Sequence, residues 1–134
     1  MISHLTLTVD EPSQIGAARR AAAELASALQ FDATAAGRVA LIATELGTNL
    51  SRHAERGRIL LAGRDLGAQC VVEFVSIDHG PGMSDVDRCM RDGYSSAGTA
   101  GNGLGAIRRL ADDFAAFSML CRGTVVFGGV GDPV

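Results

Sequence analysis

The chain has 134 residues, a formal net charge of −3 and 47% hydrophobic residues, which suits one globular domain with one core and excludes intrinsic disorder. No run approaches the roughly 18 apolar residues of a membrane span and the first residues lack a signal-peptide pattern, so a cytoplasmic protein with no membrane partner is expected. Aromatics at 4%, no Trp and scattered basic residues argue against a nucleic-acid partner, and Cys70, Cys89 and Cys121, odd in number and without C-x-x-C spacing, argue for reduced thiols rather than zinc or disulfides.

In chain order, His4 to Val9 alternates apolar and polar residues and predicts a half-buried strand. Glu11-Pro12-Ser13 opens a helix in which Ile15, Ala18, Ala22, Leu25 and Leu29 recur on one face, running to about Gln30. Asp32 is placed to cap a second helix, from Ala33 to about Ala54, with a seam of Val39, Ala43, Leu46 and Leu50. Glu45 and Asn49 are four apart and therefore share a face beside that seam, with His53 on the next turn. Gly47 costs that helix about 1 kcal/mol relative to Ala, which close approach of another backbone would explain. After Gly57, Arg58 to Arg64 predicts a strand, and Asp65 to Ala68 a hairpin turn into a second one, Gln69 to Ile77. That last run is apolar at consecutive positions, so both of its faces are expected to be covered.

Ser84 to Ala100 is polar and reads as a loop with one short helix near Asp85–Met90, of a length often used for lids. A helix over Ala106–Asp112, a strand over Phe114–Cys121, an Arg122-Gly123 turn and a final strand over Thr124–Val130 complete the prediction. The glycines from Gly128 onward point to a linker-like tail from about residue 128. The sum is an α/β two-layer sandwich: a mixed, mostly antiparallel sheet of about five strands, with three main helices on one face.

Three stretches carry candidate chemistry. Asp78-His79-Gly80-Pro81-Gly82-Met83 ends the apolar strand with a carboxylate, which is costly to bury unpaired, followed by glycines that allow a ligand close approach. By itself this is also an ordinary Asp-Gly turn. Gly101-Asn102-Gly103-Leu104-Gly105 opens a helix, where free N–H groups favour phosphate. It matches the dinucleotide fingerprint only superficially, because no strand-like residues precede it. Glu45 and Asn49 suit a general base and an oxygen ligand for a hard cation, or equally a solvated helix face. All 12 basic residues are Arg, so a P-loop and a eukaryotic-type kinase site, each needing a Lys on the phosphates, are excluded.

In this order the three stretches resemble the N, G1 and G2 boxes of the GHKL ATPases (gyrase, histidine kinases, the mismatch-repair ATPase): Glu45-x-x-x-Asn49 with His53, then Asp78-x-Gly80-x-Gly82, then Gly101-x-Gly103-Leu104-Gly105. Gly123-Thr124 is similar to the family's Gly-Thr turn. The compact form resembles the anti-sigma regulatory factors of the RsbT, RsbW and SpoIIAB kind, serine kinases acting on STAS-domain antagonist proteins, and Gly103 to Leu110 is most like the RsbT branch. Ala106 departs from the pattern, standing where many relatives carry Leu. The resemblance implies ATP and Mg2+ as ligands. Asp78 would accept the adenine amino group, with Gly80, Gly82 and Met83 around the base and Thr124 supporting it. Asn49 would hold magnesium, and Gly101, Asn102, Gly103, Leu104 and Gly105 would wrap the phosphates. Glu45 would be the catalytic base and His53 a wall of the site. Implied partners are a STAS-domain antagonist, a sigma factor or a downstream phosphatase, with a homodimer left open. Two other readings stand beside the kinase: a non-catalytic ATP-binding module that sequesters a regulator, and a plain ATPase.

Overall fold

The computed structural model describes residues 2–53, 57–80 and 103–133. Strand β1 (Ile2–Thr8) leads through a single 3-10 turn (Pro12–Gln14) into helix α1 (Ile15–Ala28). The Gln14 side-chain oxygen accepts the N–H groups of Asp10 and Glu11 at 2.6 and 3.2 Å, which fixes the angle of entry. At the other end Gln30 takes a left-handed φ of 59°, and Phe31 N–H reaches back to Ala26 O at 3.0 Å while Gln30 N–H reaches Ser27 O. This is the crossed pair of bonds that stops a helix without leaving its last carbonyls bare.

Helix α2 (Ala33–His53) starts as predicted, with Asp32 Oδ1 accepting Ala35 N–H at 2.8 Å. Its seam of Val39, Ile42, Ala43, Leu46 and Leu50 is buried and forms the middle of the core. Gly47 faces the first residue of α1: a Cβ there would stand 3.5 Å from Ile15 Cα, so the backbone that approaches it is that of α1.

Strands β2 (Arg58–Asp65) and β3 (Gln69–Asp78) form a hairpin whose turn is tied by Gly67 N–H to Asp65 Oδ1 at 2.9 Å, with Gly67 at φ 87°. A short helix α3 (Leu104–Leu110), then β4 (Asp113–Met119) and β5 (Gly123–Pro133) follow. The sheet order is β1-β2-β3-β5-β4. Each of the four pairings is antiparallel, so the described sheet is not mixed.

Two further expectations are corrected. Strand β3 alternates between buried and half-buried side chains: Cys70, Val72, Phe74 and Ser76 lie under the helices, while Val71, Glu73, Val75 and Ile77 are on the open face. Its consecutive apolar residues therefore do not mean two covered faces. The open face keeps Phe117 62% and Phe127 51% exposed. The glycine-rich end is no linker: β5 continues to Pro133, pairing Gly131 with Val71 and Gly129 with Glu73. A Cβ at Gly128 would run into the Asp113 carbonyl oxygen, so glycine is the residue the sheet admits there, while one at Gly131 would meet only the movable end of the Gln69 side chain.

The path of α2 sets the position of the site. Its start is fixed at the far end of β5, where Asp32 N–H donates to Asp132 Oδ2 at 2.8 Å. Near its end Leu50 packs on Gly57, beside the strand ends where β3 finishes. The second half of α2 thus reaches the Asp78 end of the sheet. Asp112 fastens the other half: its carboxylate accepts Gly131 N–H at 2.7 Å and an Arg38 Nη1–H at 3.1 Å, while Arg38 also donates to Leu110 O. Burial works against the Asp112 charge, but the Gly131 hydrogen bond and then Arg38 outweigh it and hold this carboxyl below its ordinary value. A depressed folded-state value adds stability above the usual Asp range, about 3.9, and loses it as pH falls through the folded value. Asp112 is half exposed, so Asp112→Asn should cost less than about 1 kcal/mol at pH 7. In denaturant titrations the gap between variant and wild type should hold from pH 7 to about 5 and narrow as pH falls below about 4; a gap that stays constant at those lower pH values would show that no linked proton is involved.

Candidate functional site

The three motifs fall on three separate elements. Glu45 and Asn49 lie one turn apart on the second half of α2, both partly buried, and His53 is its last residue. Asp78 ends β3, with Thr124 directly opposite on β5. Both side chains project to the face that the helices cover, because they continue the register of Ser76 and Val126. Gly103 caps the start of α3, and Leu104 and Gly105 are buried in its first turn. Gly82, Met83, Gly101, Asn102 and the Ser84–Ala100 loop lie outside the described residues.

Two glycines join these elements. Gly103 has φ 76°, and a Cβ on it would fall on Glu45 Oε2. The start of α3 is therefore seated directly on the Glu45 carboxylate, and only a residue without a side chain closes that contact. Gly123 has φ 126°, and a Cβ there would fall on the Asp78 carbonyl oxygen and press on His79 Cα at 3.0 Å. The turn before Thr124 is thereby held against the backbone of Asp78. Asp78 itself uses Oδ1 to accept Gly80 N–H at 2.9 Å, and Gly80 is buried. The turn reading of Asp78 is therefore correct as local structure; the tertiary packing adds a cross-strand hydroxyl beside it.

One residue of this corner was passed over in the sequence. Ser118 on β4 pairs with Thr124, and their hydroxyl oxygens are 2.8 Å apart. Its signal was a polar residue in the same register as the apolar Phe114 and Ala116, legible only once the β4–β5 pairing is known.

Asn49 offers the kind of oxygen donor a hard cation takes, one or two from the protein with phosphates and water completing the shell, and Glu45 one turn away is left as a carboxylate base. Among the described residues no group of three or more His, Cys, Asp or Glu side chains forms a metal site. Among the same residues Cys70 and Cys121 are free thiols, and no helix is long and apolar enough to cross a membrane.

A five-stranded antiparallel sheet beneath helices, with a carboxylate at a strand end and a glycine-opened helix seated on the long helix, is the arrangement of the GHKL fold class. Residues 8–126 match the model of the histidine kinase-like ATPase domain, and the chain belongs to that family. Among curated proteins it is similar to serine/threonine-protein kinase RsbT of Bacillus subtilis (strain 168), with 30% identity over 112 residues, 84% of each chain. The fold is shared with the mycobacterial sensor histidine kinase MprB (TM-score 0.54, 16% identity, 74% of each chain). It is likewise shared with the catalytic domain of histidine kinase ThkA in a nucleotide-free form (TM-score 0.53, 13% identity, 98% of this chain and 96% of that one).

Proposed function

We propose that this protein is a protein serine kinase of a bacterial partner-switching circuit, transferring the terminal phosphoryl group of ATP to a STAS-domain antagonist in a magnesium-dependent reaction. The observation that carries the proposal is the seating of Gly103 on Glu45: it brings the glycine-opened loop of one element to the carboxylate of another. The 30% identity to a protein named as a serine/threonine kinase supports the choice of reaction.

In this reading Asp78 and Thr124 receive the adenine edge, with Gly80, Gly82 and Met83 around the base. Gly101, Asn102, Gly103, Leu104 and Gly105 lie along the phosphates. Asn49 would hold a magnesium ion, which when bound neutralises phosphate charge. Glu45 accepts the proton of the attacking serine hydroxyl, and His53 closes the wall of the site. Because no Lys exists in the chain, Arg and backbone N–H groups supply the remaining positive charge. The chain is taken as one cytoplasmic domain.

Nucleotide binding is the first test. A ligand that binds only the folded state at a hundredfold excess over its Kd adds about 2.7 kcal/mol. For a chain of this size that is a rise of several degrees in Tm. ATP should produce this rise in apo protein, and the rise should shrink when magnesium is removed. No response to ATP or ADP would count against the whole reading. Tight capture of a partner without phosphoryl transfer would favour the sequestering module, and brisk hydrolysis without a partner the plain ATPase.

A further inference from the structure

We propose that Ser118 is a positioning residue that sets which base the nucleotide site accepts. The inference rests on the nucleotide reading above and adds a residue to it. Asp78, Thr124 and Ser118 form one row across β3, β5 and β4, on the face turned to the helices, and all three are partly buried. Ser118 Oγ lies 2.8 Å from Thr124 Oγ1 and 3.2 Å from the Gly123 carbonyl oxygen.

A serine hydroxyl has one proton and two acceptor positions. When that proton goes to the Gly123 carbonyl, Thr124 is the donor in the 2.8 Å contact, and its oxygen turns only lone pairs towards a ligand beside Asp78. When Ser118 instead gives its proton to Thr124, along the shorter contact, the Thr124 hydroxyl is released to donate outwards. The row then offers a carboxylate acceptor next to a hydroxyl donor. That order complements adenine, whose amino group donates beside an accepting ring nitrogen. Guanine has the reverse order, a carbonyl oxygen beside a ring N–H, and meets two mismatches. Ser118 touches no base in this arrangement; it acts through the direction of the Thr124 hydroxyl. A purely structural Ser118, tying the β4–β5 turn through Gly123, would affect stability and leave base choice alone.

The experiment is calorimetric titration of the apo full chain with ATP and with GTP, in wild type, Ser118→Ala and Ser118→Thr, together with their apo melting curves. Wild type should prefer ATP. Ser118→Ala should weaken ATP binding about threefold to tenfold, as the loss of one neutral hydrogen bond implies, with little change for GTP. Ser118→Thr retains a hydroxyl and should restore the ATP-to-GTP ratio even if its Tm differs. An unchanged ratio in Ser118→Ala, whatever its Tm, would overturn the inference while leaving the nucleotide site standing. Wild type that binds neither nucleotide would overturn the underlying reading and this one with it.

Discussion

Glu45→Ala is expected to bind ATP with near wild-type affinity and to lose phosphoryl transfer to the proposed STAS-domain partner by roughly 10²–10⁴-fold, the usual contribution of a general acid–base group. The reasoning starts from the helix. Glu45 is one turn before Asn49 on a segment of α2 held in place by the buried Leu46 and Leu50, so truncating this partly buried side chain leaves the backbone where it is. Phosphoryl transfer depends chiefly on positioning and charge stabilisation, with the base orienting the nucleophile. The lost carboxylate therefore appears in the chemical step rather than in binding. Labelled-ATP transfer onto the captured partner, alongside calorimetric ATP titration, separates the two quantities. Asn49→Ala should differ by losing magnesium-dependent binding as well. Equal partner phosphorylation by Glu45→Ala and wild type would remove Glu45 from the mechanism while leaving the fold and family in place.

Gly103→Ala should impair transfer nearly as much, for a different reason. The added methyl would collide with Glu45 Oε2, and the residue would have to hold φ 76°. The left-handed conformation costs an L-residue about 1–2 kcal/mol. The atom it meets is the far end of a flexible side chain, so the contact is relieved by turning the Glu45 carboxylate aside rather than by unfolding. A misplacement of about 1 Å in a reacting geometry costs on the order of 10²-fold. The double variant makes the test sharp. If Gly103 acts on chemistry through Glu45, adding Gly103→Ala to Glu45→Ala should cost little more, since residues that work as a unit are far from additive. Multiplicative losses in the double variant would show that Gly103 affects the reaction by another route, through the phosphate loop itself.

Much of the fold was legible because local chemistry decides it. The Asp32 cap, the α2 seam and the Gly67 turn are settled by residues within a few positions of one another. The glycine-rich end was misjudged because glycine has two uses with the same local signature, freedom and close packing. Only the register of β5 against β3 and β4 reveals that Gly128 lies beside the Asp113 carbonyl and Gly131 beside Gln69. The consecutive apolar residues of β3 misled in a similar way: Val71, Val75 and Ile77 belong to a face that no described helix covers.

By itself the sequence determined which residue types could do chemistry and in what order they occur: Glu45 and Asn49 at helical spacing, Asp78 at the end of an apolar run, glycines opening a helix, and no Lys anywhere. These follow from spacing and composition, which act over a few residues. Only the tertiary structure decided that Gly103 is seated on Glu45, that Gly123 lies on the Asp78 backbone, and that Ser118 stands next to Thr124. The physical reason is range. Each of the first two contacts joins segments more than 40 positions apart, and the third requires a strand register, so each is fixed by how buried faces pack together and not by any preference of the residues that make it.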